Sequence, residues 1–234
     1  MAKQSTFRKF DYIDLGFIEY DKAWDLQKDV FKLRTSDEIN DTFFLLEHPH
    51  TYTLGKVADR KNLISNEAFL NKYGIKVYDI DRGGDITYHG PGQIVGYPII
   101  KLSDWKEDTH LYLRTLEQII IDVCADYGLE TGRVKGLTGV WIEDRKIAAI
   151  GIKLSRWITM HGFAFNINTD LSLFNGIIPC GITDKKVTSL QNELGNMFEI
   201  QDVKKKLVDK FMKAFDYVDY NVVLKDTLTK LNSN

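Results

Sequence analysis

The chain has little cysteine, few breaker residues in runs, no long apolar stretch and almost no net charge, and each shortage removes a class of protein. Two cysteines among 234 residues, Cys124 and Cys180, are too few for a disulfide framework. Both are expected as free thiols in a reducing compartment. No apolar run approaches the roughly 20 residues needed to cross a bilayer, and the polar opening Met1 to Lys9 lacks the hydrophobic stretch of a secretory signal. A cytoplasmic location and no membrane partner are expected. With a formal charge of -2 the chain offers no general attraction to nucleic acid, so none is expected as a partner. The local basic pairs Arg133/Lys135 and Lys185/Lys186 could still meet an acidic partner. Internal repeats, low-complexity tracts and linkers rich in Pro, Gly or Ser are also missing, which leaves a single domain, residues 1–234, with one interwoven core.

Hydrophobic residues make up 44% of the chain, enough for a sizeable core, and their spacing indicates where the elements lie. Phe10 to Phe17 reads as a strand with Phe10, Tyr12 and Phe17 turned inward, and Tyr20, Ala23, Trp24, Gln27 and Phe31 follow at helical spacing. Thr42 to Leu46 and Thr51 to Leu54 read as strands around the turn His48-Pro49-His50. Ser65 to Tyr73 reads as a helix closed by Gly74, and Ile75 to Ile80 as a strand. Past a glycine-rich segment, Ile94 to Leu102 is a strand. Asp108 or Thr109 then caps a long helix whose apolar face carries Tyr112, Leu116, Ile119, Ile120, Val123, Cys124 and Tyr127. Cys124 is thereby assigned to core packing.

Gly139 to Ile142, Ile147 to Lys153 and Trp157 to Asn166 are β-rich, and a hairpin through Glu143-Asp144-Arg145 would set Lys146 at the mouth of a strand. Asp202 to Phe215 places Val203, Leu207, Phe211 and Phe215 four residues apart, as a packed helix does, and the final residues read as frayed. Strands and helices mix without strict β-α-β alternation, which makes the fold class α+β.

Three segments could carry chemistry. Arg82 to Gln93 packs four glycines between two predicted strands, and glycine lets a ligand approach the main chain closely. It fits neither the dinucleotide fingerprint nor the Walker sequence, so a phosphate loop is rejected; a tight loop and a ligand wall bounded by Arg82 and His89 stay open. The five histidines show no metal-ligand spacing, and no metal is expected. His161 reads equally as a strand histidine satisfied by hydrogen bonds or as a base. Cys180 stands between Pro179 and Gly181, on a restrained backbone with room for an acyl carbonyl to approach the sulfur. A thiol near its ordinary pKa of roughly 8.5 is mostly protonated at neutral pH and needs a cation or base beside it. Lys146 is the candidate helper. Taken alone, a free cysteine is most often a small buried hydrophobe and a turn lysine a solvated one.

Together, His48-Pro49-His50-Thr51-Tyr52-Thr53-Leu54-Gly55, the run Arg82 to Gln93, Lys146-Ile-Ala-Ala-Ile-Gly151, His161-Gly-Phe-Ala-Phe-Asn166 and Pro179-Cys180-Gly181 resemble, in order, the motifs of the octanoyl (lipoyl) transferases. The resemblance covers about Phe43 to Leu190. It implies a mixed sheet flanked by helices with a smaller second sheet, as in biotin and lipoate protein ligases. It also implies a reaction without cofactor or nucleotide. An octanoyl (or lipoyl) group would leave octanoyl-acyl carrier protein and rest as a thioester on Cys180. It would then pass to a lysine of a lipoyl domain, in 2-oxoacid dehydrogenase E2 subunits or glycine cleavage H protein.

On this resemblance Cys180 is the nucleophile and Lys146, 34 residues earlier, its assistant. Substrate contacts would fall on Arg82, Gly83, Gly84, Asp85, Ile86, Thr87, Tyr88 and His89, on Ala149, Ile150 and Gly151, and on Gly162, Phe163 and Ala164. Lys146, with His89 in reserve, would accept the proton of the acceptor lysine. The nearest rival is an ATP-dependent lipoate ligase, which would use Lys146 but not Cys180; a cysteine hydrolase and an acyl-carrier-binding module are further alternatives.

Overall fold

In the computed structural model, which describes residues 8–178 and 186–225, alternating apolar runs build two sheets. The strands are β1 (Lys9–Phe17), β2 (Asp41–Glu47), β3 (Thr51–Leu54), β4 (Lys76–Asp79), β5 (Ile86–His89), β6 (Gln93–Ile99), β7 (Val140–Ile142), β8 (Arg145–Ser155), β9 (Ile158–Asn166), β10 (Lys186–Val187) and β11 (Asp219–Val222). The helices are α1 (Tyr20–Thr35), α2 (Glu67–Tyr73), α3 (Thr109–Asp126), α4 (Leu190–Leu194) and α5 (Ile200–Ala214). Among the described residues the main sheet runs β10-β8-β9-β6-β2-β1-β11, with β7 also paired to β8, and the small sheet runs β4-β3-β5. This mixed sheet with flanking helices and a smaller second sheet is the expected α+β architecture.

The two faces of the main sheet bury different helices. On one, Phe43, Ile94, Phe163 and Phe165 meet Leu116, Ile120 and Val123 of α3 and Val203, Leu207 and Phe211 of α5. Cys124 lies in that core, where burial pushes its thiol up to about 12, too high to supply a thiolate near neutrality. Each such side chain buried contributes about 1.5–3 kcal/mol, so the stripe spaced by four on α5 is enough to fix that helix. On the other face Phe44, Leu46, Val95 and Tyr97 meet Ala23 and Val30 of α1. The small sheet has its own core, in which Tyr52 and Tyr88 pack with Leu173, Phe174 and Ile177.

Caps decide several boundaries. Asp108, not Thr109, caps α3, its side chain accepting from Leu111 N. Asn66 caps α2 through Phe69 N, and Gly74 ends it in the left-handed conformation at φ 62°.

Three expectations are corrected. Phe17 is exposed, because a bulge between Asp14 and Gly16 shifts the register with β2, and Gly16 at φ 62° resets the alternation. Part of the glycine-rich segment is a strand, β5, antiparallel to β3. Residues 219–222 are not frayed: β11 pairs in parallel with Lys9 to Tyr12, a long-range pairing that local periodicity does not reveal.

Candidate active site

Lys146 is the second residue of β8 and is held between two strands. Trp141 of β7 is its antiparallel partner and Val187 of β10 its parallel one, and Thr188 N donates to Lys146 O at 2.9 Å. The predicted hairpin thus forms, with the lysine at its mouth. Lys146 Nζ stands 4.7 Å from the centroid of the Trp141 ring, whose negative face favours an ammonium. The stem is packed as well: Gly139 has φ 121°, and a Cβ there would lie 2.5 Å from Ala148 O and 3.6 Å from Lys146 Cε. Gly139 is itself pinned by a fully buried carboxylate. Glu117 of α3 accepts from Gly139 N at 3.1 Å, from Arg133 Nε at 2.8 Å and from Arg114 Nη1 at 2.6 Å.

Lys146 opens onto a cavity of about 380 Å³ between the small sheet and the α1 face of the main sheet. Residues 82–87 and 89, 149–151 and 162–164 all line it. The register explains the width: Ala149 pairs with Ala164 and Gly151 with Gly162, so the face turned to the cavity carries little or no side chain. Gly83 N donates to Ile152 O at 2.8 Å and ties the glycine-rich loop to β8. That approach needs Gly151, where a Cβ would lie 2.8 Å from Gly83 O. Tyr88 is placed elsewhere: it is buried in the small-sheet core, its hydroxyl bonded to His50 Nδ1 at 2.8 Å.

A chain of polar side chains runs along the wall. Asn166 donates to Thr188 O and accepts from Gln93 Nε2, which also donates to Tyr88 O. Gln93 therefore offers only its oxygen to His89 Nδ1, 2.9 Å away, so Nδ1 carries the hydrogen. His89 Nε2 then accepts from the Thr53 hydroxyl at 3.3 Å, and that hydroxyl accepts from Arg82 Nη2 at 3.0 Å. Burial, with His48 and Arg82 nearby, holds His89 well below the usual histidine range. With both ring nitrogens engaged and the ring neutral, His89 is built into the wall.

His161 also lines the cavity. Its Nε2 lies 2.9 Å from Asp81 Oδ1, and Asp81 Oδ2 lies 2.5 Å from Lys153 Nζ. The bond from His161, then that from Lys153, holds the Asp81 carboxyl below the usual carboxylate range, while burial lowers His161. His48, with Nδ1 on Ile18 O and Nε2 on Tyr97 OH, is pushed down to about 4 by burial. Among the described residues no group of three or more His, Cys, Asp or Glu is placed to hold a metal, and no helix is long and apolar enough to cross a membrane.

Cys180, with Pro179 and Gly181, lies outside the described residues. The chain resumes at Lys186 and Val187, paired with Arg145 and Lys146. Sequence reasoning did not assign Tyr20, Tyr97, Leu113, Leu137 or Thr138 to the cavity, yet they line it. No motif marks them; they arrive from α1, β6, α3 and the loop before β7.

Similarity to known proteins agrees with this geometry. Residues 19–212 match the family model of the lipoyl protein ligase A/B catalytic domain. An octanoyltransferase of Solibacter usitatus is 49% identical over 203 residues, covering 87% of this chain and 91% of the relative. One of Rubrobacter xylanophilus is 50% identical over 201 residues, covering 85% and 90%. In structure, lipoate-protein ligase A bound with ATP superposes with a TM-score of 0.74 at 14% identity, covering 97% of this chain and 94% of that one. The biotin protein ligase of Aquifex aeolicus superposes at 0.50 and 11% identity, covering 90% and 70%.

The fold is therefore that of the biotin and lipoate protein ligases, a scaffold for enzymes of protein acylation. Within it the chain belongs to the octanoyltransferase family and is an acyltransferase of protein lipoylation.

Proposed function

We propose that the enzyme moves an octanoyl or lipoyl group from acyl carrier protein, through a thioester on Cys180, to a lysine of a lipoyl domain. The observation that carries this reading is Lys146 at the opening of an apolar cavity walled by small residues, beside the strand that follows the Cys180 segment. In the first step the Cys180 sulfur attacks the thioester carbonyl of the donor, and the carrier's sulfur leaves as a thiol by taking a proton from the Lys146 ammonium, which is left as a neutral amine. Lys146 either stabilises the thiolate as an ammonium or accepts the thiol proton as an amine.

Thioester exchange is nearly balanced in free energy, so no nucleotide is needed. Backbone N-H groups of the glycine-rich loop are candidates for stabilising the oxyanion, each such donor being worth about 3 kcal/mol in other enzymes. In the second step the acceptor amine, with an ordinary pKa near roughly 10.4, must lose a proton as it attacks the acyl-enzyme. Lys146 takes it, and the Cys180 thiolate leaves. The acyl chain lies along the 149–151 and 162–164 walls, each buried methylene contributing about 0.8 kcal/mol.

Intact-mass analysis after mixing with octanoyl-carrier protein tests this. The wild type gains one octanoyl mass, Cys180→Ser gains none, and Lys146→Ala gains it slowly. An adduct that survives in Cys180→Ser would overturn the assignment. Turnover with free octanoate and ATP, without carrier protein, would favour a ligase, since a solved structure of similar fold is lipoate-protein ligase A bound with ATP.

A further inference from the structure

Lys146 faces the cavity because β8 breaks its own alternation. Along this strand Ala148, Ile150 and Ile152 pack on the α3/α5 side, while Ala149 and Gly151 pair with Ala164 and Gly162 on the cavity side. A period of two therefore assigns Lys146 to the core with Ala148. Strand β9 resets its parity with a left-handed residue, His161 at φ 58°. Strand β8 does so with an extra residue. Val140 opposes Ala148 but Trp141 opposes Lys146, which leaves Ile147 unopposed in a bulge. Ile147 and Ala148 are both fully buried in the core, and Lys146 shares the other face with Trp141. Bulges of this kind re-aim a side chain.

One buried carboxylate grips both flanks of that bulge. Glu117 of α3 is fully buried, and its Oε1 accepts at 3.1 Å from the backbone N of Gly139, the residue before Val140. Gly139, at φ 121°, lies so close to the bulged strand that a Cβ would stand 2.5 Å from Ala148 O and 3.6 Å from Lys146 Cδ and Cε. Glu117 Oε2 accepts from Arg133 Nε at 2.8 Å, and Arg133 is tied to α3 again through Arg114 O and Gln118 Oε1. Its chain neighbour Gly132 exchanges both backbone bonds with Trp141, at 2.8 and 2.9 Å. Between these anchors, Gly136, Leu137 and Thr138 line the cavity. A buried ionic group adds little net stability over apolar packing. What this one supplies is a fixed position for Gly139 and, through Arg133, for the segment that pairs with Trp141.

We infer that Glu117 is a positioning residue for the acyl transfer: by fixing Gly139 and Arg133 it maintains the bulge at Ile147, and the bulge turns Lys146 out of the core and into the cavity. The inference rests on the role given to Lys146 above and concerns only what aims that lysine. The oxygen on Gly139 N is the part that must be kept. Glu117→Gln can hold its one oxygen there while Arg114 and Arg133, both partly exposed, turn to water. Glu117→Leu cannot.

The test reads the place of the lysine and its work separately, in the full chain. In protein labelled with carbon-13 lysine, the Trp141 ring shifts the ε-methylene signal of Lys146 upfield, and the signal is assigned by its absence in Lys146→Arg. Glu117→Gln keeps that shift and loads from octanoyl-carrier protein within about threefold of the wild-type rate. Glu117→Leu loses the shift and loads at least about tenfold more slowly at saturating donor, with KM changed less than about twofold. A merely structural carboxylate would lower the melting temperature of Glu117→Leu and leave the shift and the saturated rate in place, which overturns the inference. A loss as large in Glu117→Gln as in Glu117→Leu overturns it too. If Glu117→Leu fails to fold, Gly139→Ala decides, since its methyl presses on Ala148 O with Glu117 intact. The same loss of shift and rate is expected there, and a wild-type signal and rate overturn the inference. A wild type that gains no acyl adduct overturns the acyl-enzyme reading, while the signal still decides whether Glu117 aims the lysine.

Discussion

The Nζ of Lys146 lies 4.7 Å above the centre of the Trp141 ring, and the two residues are direct partners across the β7–β8 hairpin. One face of the ammonium is thus against an aromatic surface and not in bulk water. A cation–π contact of this kind is worth about 0.5–2 kcal/mol.

Trp141→Leu keeps the strand position apolar and removes the ring's attraction for the ammonium. Acyl-enzyme formation should slow by about 3- to 30-fold, the equivalent of that contact. Stopped-flow or quenched loading at fixed pH checks it. An unchanged rate would show that the ring only packs.

Glu117 couples α3 to the lip of the cavity through Gly139, Arg133 and Arg114. Glu117→Ala leaves a buried N-H and two arginines without their shared carboxylate, at a cost of about 3 kcal/mol. Denaturant melts measure the loss. Exchange of the Gly139 amide, read by hydrogen–deuterium exchange, should accelerate more than that of amides in β2, which lies away from this contact.

Gly151→Ala places a methyl against Gly83 O and the Arg82 stem and narrows the slot beside Gly162. Overpacking of this sort costs about 1–3 kcal/mol. The glycine-rich loop must retreat, so KM for the octanoyl donor should rise several-fold while thermal stability falls. Steady-state kinetics with octanoyl-carrier protein and a melting curve separate the two effects.

His48 and His89 are buried neutral, His48 with its pKa down to about 4 and His89 well below the usual value. As pH falls below roughly 6.5 the unfolded chain takes up protons that the folded one refuses, so folding stability falls. For His48 alone the loss approaches about 3 kcal/mol by pH 4. Urea melts at pH 7, 6 and 5 should show a steady decline, at pH values above those at which ordinary carboxylates take up most of their protons. A flat response between pH 7 and 5 would mean that these rings are charged or exposed in solution.

Much of this was legible before any coordinates. The four-residue spacing on α5, the stripe on α3, the hairpin that carries Lys146 and the assignment of Cys124 to the core all follow from periods of 3.6 and 2. The motifs also marked residues that line the cavity, because small residues and a glycine-rich run leave open space between two sheets. Phe17 was misread because a bulge reverses parity within a strand, and β11 because its partner lies 210 residues away. Tyr88 was placed on the ligand wall by its membership of a segment, but the small-sheet core and His50 claim its side chain.

The sequence by itself determined which stretches become strands and helices, which faces are apolar, and which family the chain joins, since these depend on spacing and residue type along a short window. Only the tertiary structure decided what each histidine does. His89 loses its availability to Gln93 and Thr53, and His161 turns from the core to the cavity because Gln27 and Asp81, 134 and 80 residues away in sequence, bind its backbone and its ring. Hydrogen-bond partners that far apart leave no trace in local pattern, and a single left-handed residue is enough to overturn a strand's alternation.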